Sequence, residues 1–217
     1  LEFNFIYVLA SIEQKGIKID VKLLTEYKDR SLIYLNELTQ NIYEACGESF
    51  NINSPKQLGV ILFEKLGLAS SKKTKTGYST DESVLESLKN EHKVVPLLLK
   101  YREAFKLHST YIEPLLELGL KDSENRVFSS FLHTGTTTGR LSSKNPNLQN
   151  IPVGTFSDIQ IRRAFIAQDG YKLVGVDYSQ IELRLLAHFS KDEALVNAFK
   201  QDLDIHLQTA IKIFGED

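Results

Sequence analysis

Between Asp20 and Gly47, apolar side chains recur at three- and four-residue steps: Leu24, Tyr27, Leu35, Leu38, Ile42 and Ala45, with Ser31 in the same register. A strand repeats every two residues, so this spacing specifies an amphipathic helix. A helix of that length cannot leave its stripe in water, and the fold must supply a partner for it. Asp20 has the chemistry of an N-cap, and Gly47 that of a stop. Residues 1 to 15 carry a second helical pattern, with Phe5, Val8, Leu9 and Ile12 on one face, and Gly16 ends it. Gly16-Ile17-Lys18-Ile19 reads as a short extended link. The expectation is an antiparallel helical hairpin.

Helical signals continue downstream. In Ser54-Pro55-Lys56-Gln57 a cap precedes a proline at the first helical position and a glutamine at the third, predicting a helix to about Leu66 that stops at Gly67. Residues 68–79 read as a polar loop containing Lys72, Lys73 and Lys75. Thr80 is expected to cap a short helix with Asp81 and Glu82 in its first turn. Pro96 opens the next helix, through Leu99, Tyr101, Lys106 and Tyr111, and Pro114 should kink or end it. From Lys121 the texture changes. A strand-like run, Val127 to Leu132, leads into the Thr- and Gly-rich Thr134 to Gly139. A module boundary is placed near residue 120, helical before it and mixed after. Tyr171 to Val176 reads as a strand delivering Asp177 to its end, and Ile181, Leu185, Leu186 and Phe189 mark the helix that follows.

The composition sets limits. A chain of 217 residues with 42% apolar content can bury one sizeable core or two smaller ones. The net charge of −2 gives no global signature of nucleic-acid binding, which local patches would have to supply. Cys46 is the only cysteine, so no intrachain disulfide forms. No run approaches the ~20 apolar residues of a membrane span, and no basic-then-apolar leader opens the sequence. A soluble intracellular protein with no membrane partner is expected.

Two groups of residues carry chemistry. The lysine loop, flanked by helix N-termini at Ser54 and Thr80, could grip phosphates, although such a run is also an ordinary solvated connection. Asp177 and Glu182 place one carboxylate at a strand end and another in the first turn of the next helix. Mg²⁺ favours one or two carboxylates plus substrate phosphates over a full protein cage, while an isolated Asp-x4-Glu also fits a helix cap and a solvated face.

The surrounding residues decide between these readings. Asp177-Tyr178-Ser179-Gln180-Ile181-Glu182-Leu183-Arg184, continuing to Ala187-His188, resembles motif A of the family A (polymerase I-like) DNA polymerases. Thr138-Gly139-Arg140-Leu141-Ser142-Ser143 with Asn145 to Pro152 resembles a second block of that family, and Asp204-Ile205-His206 a third. The resemblance covers the whole chain and implies an α+β fold: a helical thumb-like DNA-gripping module over 1–120, then a partial palm over 121–217 with a small antiparallel sheet and helices. It implies that Asp177 is catalytic and binds metal together with the backbone carbonyl of Tyr178. Gln180, Glu182 and His206 would bind the nucleotide, Glu182 as a steric gate against a ribose 2′-OH. Arg140, Asn147, Gln149, Asn150 and Lys106 would contact DNA, and Lys72, Lys73, Lys75, Ser54 and Thr80 would track the duplex at the thumb tip. His108 stands where relatives often carry a second basic residue. After Val153 the family usually has an arginine, and a Gly-Arg-Arg-like run shortly afterwards. Here Gly154 and Asp158-Ile159-Gln160 intervene, and the pattern returns at Arg162-Arg163-Ala164-Phe165, so weaker and less salt-sensitive DNA binding is expected.

The implied activity is template-directed DNA synthesis: two-metal transfer of deoxynucleotides to a primer 3′-OH with Mg²⁺. The partners would be primer–template DNA and dNTPs. Neither the fingers nor the second metal-binding aspartate is found in these residues. The chain alone is therefore expected to be an inactive fragment that needs a missing C-terminal part, and its unpaired palm strand invites self-association. The alternative is a non-catalytic duplex-DNA-binding module. A single-subunit RNA polymerase is disfavoured by Glu182, and a metal nuclease by the absence of a closer Asp-x-Glu pair around Asp177.

Overall fold

A computed structural model describes residues 2–69, 73–74, 77–154 and 156–215. The fold is α+β, predominantly helical with small antiparallel sheets. It divides into two compact units, Leu1–Lys172 and Leu173–Asp217.

The first unit opens with α1 (Glu2–Lys15), β1 (Ile17–Ile19) and α2 (Val21–Cys46). Asp20 caps α2 as expected: its Oδ1 accepts from the Leu23 N–H at 2.9 Å. Gly47 ends the helix in the left-handed region at φ 75°, where its missing Cβ removes the usual penalty. Leu24, Tyr27, Ser31, Leu35, Leu38 and Ile42 are all buried, and Ala45 is partly so. The predicted helical hairpin does not form. Of the four apolar residues singled out on α1, only Leu9 is buried, while Phe5, Val8 and Ile12 remain exposed. The link between α1 and α2 is the central strand of a sheet, order β4-β1-β7, and not a turn. Pairing commits its backbone, and α1 leans instead on β5, where Glu13 Oε1 accepts from the Phe131 N–H at 2.5 Å.

The partner that α2 requires comes from further along the chain. Helix α3 (Pro55–Gly59) continues as a π-helical turn over Val60–Lys65. Ser54 Oγ caps it, but Gln57 turns its Oε1 to the Asn51 N–H, so the reciprocal half of the capping box closes onto the preceding loop. The expected polar loop contains a short hairpin of β2 (Lys73–Thr74) and β3 (Gly77–Tyr78). After α4 (Glu82–Ser87), a helical run extends without a break from Val94 to Lys121: α5 (Val94–Lys106), a π turn over Leu107–Ile112, and α6 (Glu113–Lys121). Pro114 does not end it. The wider π register immediately before the proline absorbs the lost N–H, so the helix changes pitch instead of stopping.

Two cores result. One joins the C-terminal half of α2 to α3, α4 and α5 through Ile42, Leu58, Leu62, Leu85, Val94 and Leu98. The other joins the N-terminal half of α2 to α6 and to later segments through Ile19, Leu24, Leu115, Val127, Ile151 and Ile161. At about 1.5–3 kcal/mol per fully buried large aliphatic side chain, these clusters hold the unit together. Gly119 on α6 lies so close to Ile19 that an added Cβ would overlap its side chain.

The strand-like run after residue 126 splits. In β4 (Arg126–Val127), Val127 pairs with Ile17, whereas β5 (Ser130–Leu132) pairs with β6 (Ser142–Lys144). The 3₁₀ turns Leu148–Asn150 and Ile161–Ala164 follow, and β7 (Phe165–Ile166) completes the three-stranded sheet.

The second unit contains α7 (Ile181–Ser190), α8 (Glu193–Lys200) and α9 (Ile205–Phe214). The strand expected over Tyr171 to Val176 is not formed, and Val174 and Val176 are 82% and 90% exposed. A strand exists only when a neighbour takes its N–H and C=O groups. The described residues offer this run none.

Candidate nucleic-acid interface and nucleotide site

Three hollows follow one another along α5. The first, about 660 Å³, is lined by Ser54, Lys56, Tyr78, Thr80 and Arg102 together with Glu64 and Asp81. The second, about 410 Å³, shares Arg102 and continues past Lys89, Lys100 and Glu103 to Lys106. The third, about 340 Å³, shares Lys106 and adds Tyr111, Asn150, Pro152, Gly154 and Phe156. Ser54, Thr80, Lys106 and Asn150, widely separated in sequence, therefore line successive hollows linked through Arg102 and Lys106. Carboxylates are interleaved with the cations, consistent with the chain's balanced charge. Lys72 and Lys75 fall outside the described residues, and for Lys73 only the backbone pairing with Tyr78 is described.

Thr80 does not cap α4; Asp81 occupies that position. Thr80 is buried, and both its carbonyl and its hydroxyl accept from the Arg102 guanidinium, the hydroxyl at 3.2 Å. Arg102, which the sequence did not single out, fastens the β3–α4 junction to α5. Burial pulls its pKa below the ordinary guanidinium value, opposed by Asp81 and Glu82, yet an arginine remains charged.

His108 is not a surface cation. It is buried on the π turn, with Nδ1 2.8 Å from Ser31 Oγ. Ser31 donates its single proton to the Lys28 carbonyl at 2.8 Å, so Nδ1 must carry the hydrogen. Burial lowers the His108 pKa; Glu113, with Oε2 3.9 Å from Nε2, raises it, and Lys28 lowers it again. A folded-state pKa below the unfolded value of about 6.5 gives stability that is present above that pH and lost as pH falls through the folded value. Urea unfolding should therefore show the wild type losing more stability between about pH 7.5 and 5.5 than His108→Gln does.

The loop carrying Arg140, Asn147, Gln149 and Asn150 is built on two buried serines. Ser129 Oγ lies 2.7 Å from Ser143 Oγ and 2.7 Å from the Pro146 carbonyl, and Ser143 Oγ accepts from the Leu148 N–H at 3.0 Å. The Asn145–Pro146 peptide is cis. Asn147 Oδ1 caps the 3₁₀ turn by accepting from the Gln149 N–H at 3.0 Å, and Gln149 Nε2 donates to the Leu141 carbonyl at 3.1 Å. The exposed Asn147 is thereby left its amide donors, the group that minor-groove acceptors require. Arg140 is exposed, and its carbonyl accepts from Thr136 Oγ1. Residues 156–159, which take in part of the departure at Asp158-Ile159-Gln160, form a tight turn with Ser157 and Asp158 at φ 44° and 63°. It packs Phe156 edge-on against Tyr34.

In the second unit Asp177 and Tyr178 are exposed on the segment leading to α7. Gln180 takes the left-handed conformation, φ 51°, and turns the chain into the helix, with Glu182 in its first turn. Arg184 donates from Nε to the Ser179 carbonyl at 2.9 Å, and its guanidinium lies 4.6 Å from the Phe199 ring centroid. That bond holds the backbone of the turn that directly follows Asp177 and Tyr178. His206 is exposed at the start of α9, where Asp204 Oδ1 accepts from its N–H at 2.8 Å. Among the described residues no three His, Cys, Asp or Glu side chains are grouped to hold a metal. A single exposed carboxylate suits a magnesium ion that draws its other ligands from substrate phosphates and from elsewhere. None of the described helices is long and apolar enough to cross a membrane.

The first unit thus carries hollows beside one helix, and the second a carboxylate-bearing turn that leads into a helix. A sequence profile described as DNA polymerase family A matches residues 21–217. The chain is 50% identical to DNA polymerase I of Caldicellulosiruptor bescii over 217 residues, 100% of this chain and 25% of that protein. It is 50% identical to DNA polymerase I of Bacillus subtilis over 215 residues, 99% of this chain and 24% of that protein. A solved structure, the POL domain of Pol1 from M. smegmatis in complex with DNA primer–template and dNTP, superposes with a TM-score of 0.84 at 38% identity, covering 95% of this chain and 36% of that one. The chain belongs to DNA polymerase family A. It spans about a quarter of the length of the curated relatives it matches.

Proposed function

We propose that this chain is the duplex-gripping and first-aspartate portion of an enzyme that extends a DNA primer on a template. Residues 1–120 act as the thumb-like module and 121–217 as part of the palm. The hollows along α5 carry this reading, because they draw Ser54, Arg102, Lys106 and Asn150 to one side of the first unit. Arg140, Asn147, Gln149 and Asn150 donate to minor-groove acceptors that are nearly equivalent in every base pair, so pairing geometry is sensed without reading sequence. Asp177 and the Tyr178 carbonyl would hold Mg²⁺, which, when bound, neutralises charge on the triphosphate and the attacking oxygen. Glu182 occupies the space a 2′-OH would need, Gln180 flanks the nascent pair, and His206 donates to the triphosphate. A lone aspartate does not complete a two-metal site, so the chain by itself adds no nucleotides.

The exposed run through Val174 and Val176 becomes a paired strand when the rest of such a polymerase is present. In isolation the same run promotes self-association. Because the residues of the α5 hollows all belong to the first unit and Asp177 to the second, a non-catalytic duplex-binding module is the second reading, and it predicts the same grip with no dependence on Mg²⁺ or nucleotide.

The direct test is binding of a labelled primer–template to this chain across a salt series; no affinity above that for single-stranded DNA would contradict the grip. Gly154→Arg sharpens the test. Gly154 lines the hollow with Lys106 and Asn150, and a Cβ there meets no atom within 4 Å, so the substitution starts without a clash. It should tighten duplex binding roughly three- to tenfold at low salt and steepen the salt slope by about one.

A further inference from the structure

We infer that Arg162 is a positioning residue for the duplex grip, acting through Asn150 and not by touching DNA. The inference rests on the duplex-gripping reading above. Arg162 stands on a rigid platform: Ile161 and Ala164 on either side of it are buried, and the Ala164 carbonyl accepts from the Asp20 N–H at 2.7 Å, which ties the 3₁₀ turn to the cap of α2. From there its guanidinium donates to the Ile151 carbonyl from Nη2 at 2.9 Å and from Nε at 3.2 Å, and to the Pro152 carbonyl from Nε at 3.2 Å. Those carbonyls directly follow Asn150, where the chain enters the hollow shared with Lys106.

The Leu148–Asn150 turn is therefore held at both ends. At its start, buried Ser143 receives the Leu148 N–H. At its end, Arg162 holds the two carbonyls after Asn150. A planar fork with several donors can bridge two successive carbonyls, which a lysine ammonium cannot reproduce in the same geometry. Without it the Ile151–Pro152 backbone loses its tether, and Asn150 loses its fixed height above the groove.

The experiment titrates the full 217-residue chain with a labelled primer–template duplex across a salt series. It compares wild type, Arg162→Gln, Arg162→Lys, Asn150→Ala and the Arg162→Gln/Asn150→Ala double variant, with thermal unfolding followed in parallel. Arg162→Gln should bind roughly tenfold more weakly at any one salt concentration while the slope of log K against log salt stays unchanged. Arg162→Lys should fall between, and it keeps the comparison open if Arg162→Gln unfolds. Adding Arg162→Gln to Asn150→Ala should cost little more. A slope shallower by about one would show that Arg162 pairs with a phosphate itself and would overturn the inference. Unchanged affinity, or fully additive costs, would overturn it as well. Failure of the wild-type chain to bind duplex is a separate outcome, which removes the duplex-gripping reading itself.

Discussion

Replacing Asp177 with alanine should abolish nucleotide addition by a polymerase in which these 217 residues replace the matching quarter of a relative. Phosphoryl transfer depends on positioning and on neutralising charge, and a metal-binding carboxylate contributes several kcal/mol to that. At 1.36 kcal/mol per decade, the rate should fall by at least about a thousandfold. Duplex binding should be untouched, because the grip is assigned to the first unit and Asp177 lies in the second. Single-turnover primer extension, measured beside equilibrium duplex binding, separates the two effects. A loss of binding that matched the loss of rate would mean that Asp177 supports the fold and not the chemistry.

The second large effect concerns stability. Leu98 is fully buried on α5, packed into the core that α2, α3 and α4 share. Leu98→Ala should cost about 2–5 kcal/mol, since the transfer energy of the lost methyl groups is joined by that of the cavity left behind. In a unit of this size that corresponds to a fall in Tm of roughly 5–15 °C. Because α5 also carries Arg102 and Lys106, duplex affinity should collapse over the same temperature range, while at low temperature it should remain near the wild-type value. Calorimetry with a parallel binding curve checks both statements.

Much of the helical fold was legible in the sequence, because caps and stripes are local signals. Asp20, Gly47 and Ser54 act as their chemistry indicates, and the stripe from Leu24 to Ile42 is the buried face of α2. What could not be read depends on partners distant in sequence. The link at Ile17–Ile19 became a central strand because residues 126–127 and 165–166 fold back on it. Tyr171 to Val176 has strand composition, yet composition supplies no neighbour. Thr80 looked like a cap, but Arg102, 22 residues later, takes its oxygens.

The candidate site divides in the same way. Asp177, Glu182 and the Asn147–Asn150 block stood out as motif residues, while the residues that hold them in place did not. Arg184 on the Ser179 carbonyl and Arg162 on Ile151 and Pro152 act on backbone atoms, and a backbone acceptor has no signature in the sequence. His108 shows the reverse case: it stands where relatives often carry a basic residue, yet it is buried against Ser31.

The most direct test of the central claim is primer extension with Mg²⁺ and all four deoxynucleotides, comparing the 217-residue chain with the chimera that restores the remaining three quarters of a relative. Extension by the chimera, together with duplex binding but no extension by the chain alone, is the predicted result. Synthesis by the chain alone, or a chimera that grips duplex and adds nothing, would contradict it.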